Sequence, residues 1–168
     1  KLEPDMAPTA DTPCARLHAV QTRRMHAAAA AGRAVETMRL LAVSKTFGSA
    51  IVRELAACGQ REFGENYLQE ALEKQLALAD LALVWHFIGP IQSNKTRAIA
   101  ENFSWVHGVD RLKIAERLSA QRPAGFPPLQ VCIEINVSGE ASKGGVAVAE
   151  LPALAEAVSK LPGIQLRG

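Results

Sequence analysis

The chain has 168 residues, 48% of them hydrophobic and 21% charged, enough apolar material for one globular domain with a real core. A formal charge of +2, with no Lys/Arg cluster interleaved with aromatics, argues against nucleic acid and anionic membrane surfaces as partners. No apolar run approaches the roughly 18 residues of a membrane helix, and the three cysteines, Cys14, Cys58 and Cys132, are so widely spaced that they read as reduced thiols, without a disulfide framework or a zinc site.

Residues 1–14 are rich in proline and poor in apolar side chains, so they are expected to be disordered. Met6 reads as the natural start, with the residues before it foreign to the protein. No charged segment followed by an apolar core precedes the domain, so a cytoplasmic setting is expected. From Ala15 to Ala31 the alanine-rich sequence favours helix, and Gly32 stops it.

Leu40 to Lys45 reads L-L-A-V-S-K, an apolar run that predicts a buried strand with Lys45 at its exit. In proteins with parallel strands, chemistry gathers at the carboxyl ends of strands. A lysine there is, taken alone, more often a strand exit reaching water than a reactive amine. Imine chemistry requires the neutral amine, and the apolar residues before Lys45 offer the desolvation that favours it.

The pattern then alternates. Ser49 to Cys58 predicts a helix ended by Gly59, Glu62 to Asn66 a strand, and Leu68, Leu72 and Leu76 a helix with Glu70 and Lys74 as an exposed i,i+4 pair. Val84 to Gly89 is the third strand, ended by Pro90. A helix over 93–103, a strand at Trp105 to Val109, and a helix capped by Asp110 follow. A proline-rich connection, 122–128, leads to a fifth strand, Leu129 to Val137, and after a further helix a sixth begins at Gln165.

Regular β-α alternation argues for a parallel sheet, open or closed. The fifth strand favours closure: alternation puts Val131, Ile133, Ile135 and Val137 on one face and Cys132, Glu134 and Asn136 on the other, and only a barrel interior accepts the polar face. Glu134 reads as an internal carboxylate paired with a histidine or arginine. His86 reads as a buried ring bonded to Glu134 or to a carbonyl. Lys143, in a Gly-rich loop, is either a solvated side chain or a phosphate contact.

The run Trp85-His86-Phe87-Ile88-Gly89-Pro90-Ile91-Gln92-Ser93-Asn94-Lys95, with Leu41 to Lys45, Phe63 to Tyr67 and Ile135-Asn136 in the same order, resembles the pyridoxal phosphate homeostasis proteins (YggS/PROSC-like). The resemblance implies a (β/α)8 TIM-barrel type fold like the N-terminal domain of alanine racemase, here carried through about six strands, with residues 15–168 as a partial cofactor-binding barrel domain. It implies pyridoxal 5'-phosphate (PLP) held as a Schiff base on Lys45, Asn66 near the pyridine ring, and a role in vitamin B6 balance without established catalysis. His86 and Lys143 are secondary cofactor-site candidates, no residue is assigned as catalytic, and no metal is expected. PLP-dependent apo-enzymes are the implied protein partners. The family's Gly-Met-Ser and Thr-x-x-Arg-Ile-Gly phosphate segments do not occur here, so the chain is expected to be part of a longer protein. Two alternatives stand beside this reading: a PLP-dependent racemase or decarboxylase, with Tyr67 as the acid-base candidate, and a Schiff-base aldolase that uses Lys45 without cofactor.

Overall fold

The structure, a computed structural model, describes residues 12–140 and 143–168. Helix α1 runs over Pro13–Ala30: the Thr12 hydroxyl accepts from the Ala15 N–H at 3.1 Å, and Pro13 supplies a fixed φ at the first turn. Residues 12–14, expected to be disordered, therefore cap and start the helix. Residues 1–11, Met6 among them, lie outside the described residues.

Six strands form one parallel sheet: β1 (Ala42–Val43), β2 (Glu62–Glu65), β3 (Val84–Phe87), β4 (Trp105–Val109), β5 (Leu129–Ile133) and β8 (Ile164–Leu166). Their spatial order is β1-β2-β3-β4-β5-β8, each beside its predecessor in the sheet. Helices α2 (Ser49–Ala57), α3 (Leu68–Ala77), α4 (Thr96–Asn102), α5 (Leu112–Gln121) and α6 (Leu151–Ser159) fill the connections. This is the β/α alternation of a barrel domain. Period-two alternation sends Phe63, Trp85, Phe87, Val106, Leu129 and Val131 to the outer face, where they pack with Val52, Ala71, Ile99, Ile114, Leu118 and Val158 of the helices. Gly64, His86, Trp105 and Cys132 take the opposite, inner face. Among the described residues no helix is long and apolar enough to cross a membrane.

Four expectations are corrected. The fifth strand stops at Ile133: the Glu134 N–H still reaches the Val109 carbonyl, but β4 offers nothing beyond it, and Ile135–Asn136 (β6) pairs instead with Val146–Ala147 (β7) in a separate two-stranded sheet. Val137, expected on the apolar face, is 81% exposed. In α3 the buried positions are Ala71 and Lys74, while Leu76 points to solvent, because Ala71, Lys74 and Leu78 form the stripe that meets the sheet. Asp110 does not cap α5; its carboxylate pairs with the neighbouring Arg111 guanidinium. Finally, Cys14 and Cys58 are joined as a disulfide, since α1 lies along α2 and brings their Cα atoms to 5.9 Å. Cys132 is the free thiol among the described residues, and burial pushes its pKa up.

Backbone approaches closely at the carboxyl ends of β2 to β4. A Cβ on Gly89 would stand 2.4 Å from the Asn66 carbonyl oxygen and 2.9 Å from its Cα, and one on Gly108 would stand 2.9 Å from the Gly89 oxygen. These neighbours are backbone and cannot rotate away. Gly89→Ala is therefore expected to destabilise the fold by about 1–3 kcal/mol, measured by urea denaturation.

Candidate functional site at the carboxyl rim of the sheet

Lys45 follows β1 in a four-residue turn, Ser44 to Phe47, closed by the Phe47 N–H on the Ser44 carbonyl at 3.1 Å. Thr46 occupies the third position with φ 68°, where a type II turn requires positive φ. It is the one non-glycine residue with positive φ among the described residues. For a β-branched side chain this costs on the order of 1–3 kcal/mol, so the surroundings must hold it. They do so through α3. The Lys74 ammonium, 5% exposed, donates to the Ser44 carbonyl (2.7 Å), to Glu65 Oε1 (2.8 Å) and to Glu70 Oε1 (2.5 Å). Glu70 Oε1 in turn accepts the Thr46 N–H at 2.7 Å, and the Ser44 hydroxyl donates to Glu65 Oε1 at 2.5 Å. The Lys74 contact holds the Glu70 carboxyl below its ordinary range; burial opposes it more weakly, and the Thr46 N–H adds a still smaller lowering.

The Lys45 side chain is exposed and its ammonium has no partner among the described residues. β1 alone does not give it the apolar setting expected from Leu40 to Val43. Asn66 stands at the equivalent place on β2: Val43 and Gly64 are paired in register, and Lys45 and Asn66 each lie two residues further on. The Asn66 Oδ1 is buried without a hydrogen-bond partner. Asn66, Gly89 and Gly108 thus form one tier across three strand ends.

Below this tier His86 pairs with His107, Nδ1 to Nε2 at 3.0 Å, and stacks on Trp105 with ring centroids 5.4 Å apart and planes at 8°. Its Nε2 lies 3.4 Å from Glu62 Oε2 without hydrogen-bond geometry. Arg39 bonds Glu62 at 2.6 Å through Nε and covers the Trp105 ring, 5.2 Å from its centroid. The expected bond from His86 to Glu134 is not formed. Glu134 is exposed, has no side-chain partner among the described residues, and approaches Gly108 and Gly144 instead. Burial, then the charges of His107 and Arg39, push His86 down to about 3, so the ring is neutral at ordinary pH and the Glu62 contact is not an ion pair.

Lys143 lies on the loop after β6 with its ammonium on Glu140 at 2.8 Å. Asn136 is spent within the same loop, donating to the Glu140 carbonyl and accepting from the Gly139 N–H, both at 2.9 Å. The structure thus places Lys45 and Asn66 at equivalent strand ends, puts His86 a tier lower, and commits Lys143 and Asn136 to the loop itself. Ala141 and Ser142 lie outside the described residues. No group of three or more His, Cys, Asp or Glu that could hold a metal ion occurs among the described residues.

Residues 18–168 match the family model of the alanine racemase N-terminal domain. Over 149 residues the chain is 69% identical to the pyridoxal phosphate homeostasis protein of Pseudomonas aeruginosa, covering 89% of this chain and 65% of that protein. PipY of Synechococcus elongatus PCC7942, solved with PLP bound, is 37% identical with a TM-score of 0.73, covering 88% of this chain and 68% of PipY. The chain belongs to the pyridoxal phosphate homeostasis protein family. Alanine racemase from Corynebacterium glutamicum, 22% identical with a TM-score of 0.57 over 77% of this chain and 38% of that one, shows the shared barrel fold. The chain spans 65% of the length of the Pseudomonas member.

Sequence reasoning placed Lys45 at the rim of this family member but missed Lys74, Glu65 and Ser44 as its supports. The signal was available: Lys74 falls on the stripe of Ala71 and Leu78, at spacings of three and four, so it had to be buried if they were.

The two histidines make stability depend on pH. His107 is also lowered by burial, so both imidazoles take up protons in the unfolded chain near pH 6.5 and refuse them in the folded one, His86 down to about 3. The unfolded state then binds more protons below pH 6.5, and stability is lost as pH falls through that window, at up to about 1.4 kcal/mol per pH unit from His86, with His107 acting in the same direction. Urea denaturation at pH 7 and pH 5 should show the lower stability at pH 5, and His86→Gln should flatten the difference.

Proposed function

We propose that this chain is the cofactor-binding part of a PLP homeostasis protein, with residues 15–168 as the binding domain and Lys45 as the residue that holds PLP. The observation that carries the reading is an unpaired amine on a braced turn at a strand's carboxyl end, level with the buried, unpartnered Asn66 Oδ1. PLP supplies an aldehyde that condenses with a primary amine, losing water. The residues present fit such a ligand. Lys45 offers the amine, Asn66 Oδ1 an acceptor in need of a donor, and Gly89 and Gly108 a floor without side chains. His86, neutral and stacked on Trp105, shapes the space beneath. Lys143 meets a phosphate only by leaving Glu140. The family and the PLP-bound relative support this reading.

The reading is of a carrier without turnover, in the cytoplasm, supplying PLP-dependent apo-enzymes. In a reducing compartment the Cys14–Cys58 bond opens, and α1 then stays on the domain through buried Leu17 and Ala28. A racemase-type reading needs an acid-base group facing Lys45; Tyr67, its candidate, is 57% exposed. An aldolase without cofactor leaves the buried Asn66 oxygen unexplained.

PLP added to the natural protein that contains this chain should give a visible absorption band, and borohydride followed by peptide mass analysis should place the adduct on Lys45. Lys45→Ala should lose both. An adduct confined to Lys95 or Lys143 defeats the assignment, amino-acid turnover replaces the carrier by an enzyme, and absence of a band favours the aldolase.

A further inference from the structure

The two peptide groups that flank the Lys45 Cα are both held by α3. The carbonyl of the preceding peptide is Ser44 O, which accepts from Lys74 Nζ at 2.7 Å; the N–H of the following peptide is Thr46 N, which donates to Glu70 Oε1 at 2.7 Å. Lys74 and Glu70 are themselves bonded at 2.5 Å, so the two holds form one brace. Fixing both peptide planes limits φ and ψ at Lys45, and with them the direction in which its side chain leaves the backbone. Nothing in α3 packing asks for a cation at position 74. An apolar side chain would fill the stripe of Ala71 and Leu78 without desolvating an ammonium. All three acceptors of that ammonium belong to the turn or its brace: Ser44 precedes Lys45, Glu70 holds Thr46, and Glu65 also takes the Ser44 hydroxyl.

We propose that Lys74 and Glu70 are positioning residues that aim the Lys45 amine and set how long it keeps an aldehyde ligand, without touching that ligand. The inference rests on the reading of Lys45 given above. In the binding step the amine nitrogen bonds to the carbonyl carbon and the carbonyl oxygen leaves as water; release is the reverse and consumes water. A held amine stays aligned for recapture each time the bond opens, whereas a loose one swings into solvent. Thr46 gives the brace its function: a threonine at φ 68° relaxes toward ordinary geometry once its N–H is freed, carrying Lys45 with it.

The test uses the natural protein containing this chain, loaded with PLP. Release into excess scavenger is followed by the visible band, and amide exchange at Thr46 is measured in the ligand-free protein. Lys74→Met, which removes the hydrogen bond to Ser44 O along with those to Glu65 and Glu70, and Glu70→Ala, which removes the one from the Thr46 N–H along with that from Lys74, are each expected to speed release at least about tenfold, the worth of the one hydrogen bond each makes directly to the turn, and to speed Thr46 exchange. Glu70→Gln, whose amide oxygen still accepts the Thr46 N–H, should stay close to wild type. Should Lys74→Met fail to fold, Glu70→Ala at a partly exposed side chain decides the matter alone. Folded variants that release PLP at the wild-type rate, or leave Thr46 exchange unchanged, overturn the brace. A wild-type protein with no visible band overturns the Lys45 reading instead.

Discussion

A single buried ammonium ties the rim of this domain together. Lys74 reaches from α3 through the outer layer to the end of β1, where it meets a carbonyl and two carboxylates. Removing a cation from water costs several kcal/mol, and short contacts to two carboxylates offset that cost only while the geometry is kept. The network is therefore intolerant of displacement. Because its acceptors lie on the turn after β1, on β2 and on α3, it fixes the relation of two strand ends and a helix where Lys45 emerges.

The parts of the fold that depend on side-chain period were legible from sequence. The short apolar runs of β1 to β4 and the helices between them fix the alternation; the polar alternate positions Cys132, Glu134 and Asn136 pointed to a barrel, although only Cys132 lies within β5. What was not legible depends on partners distant in the chain. Lys74 resembled half of an exposed i,i+4 pair with Glu70, and that contact does exist; its burial follows from the approach of Ser44, thirty residues away. The fifth strand has β-branched residues well past Ile133, yet it ends there because a strand lasts only while a neighbour supplies a ladder. Cys14 and Cys58, 44 residues apart, meet through helix packing that no spacing rule anticipates.

The histidine tier and the lysine turn divide the labour of the inner face. His86 and His107 share one hydrogen bond, and burial lowers the pKa of both, so at neutral pH the space below the rim carries no net cation from them. The rim above keeps one free amine and one unpartnered amide oxygen.

Arg39 has a consequence for shape. It precedes β1, yet its guanidinium lies over Trp105 of β4, while it bonds Glu62 on β2. Strands one and four are separated by two others in the sheet, so a flat sheet would hold these groups far beyond contact, about 4.8 Å per strand step. One side chain spanning that interval acts as a tie rod across the cylinder. The contact shows that the first four strands already curve around a common interior.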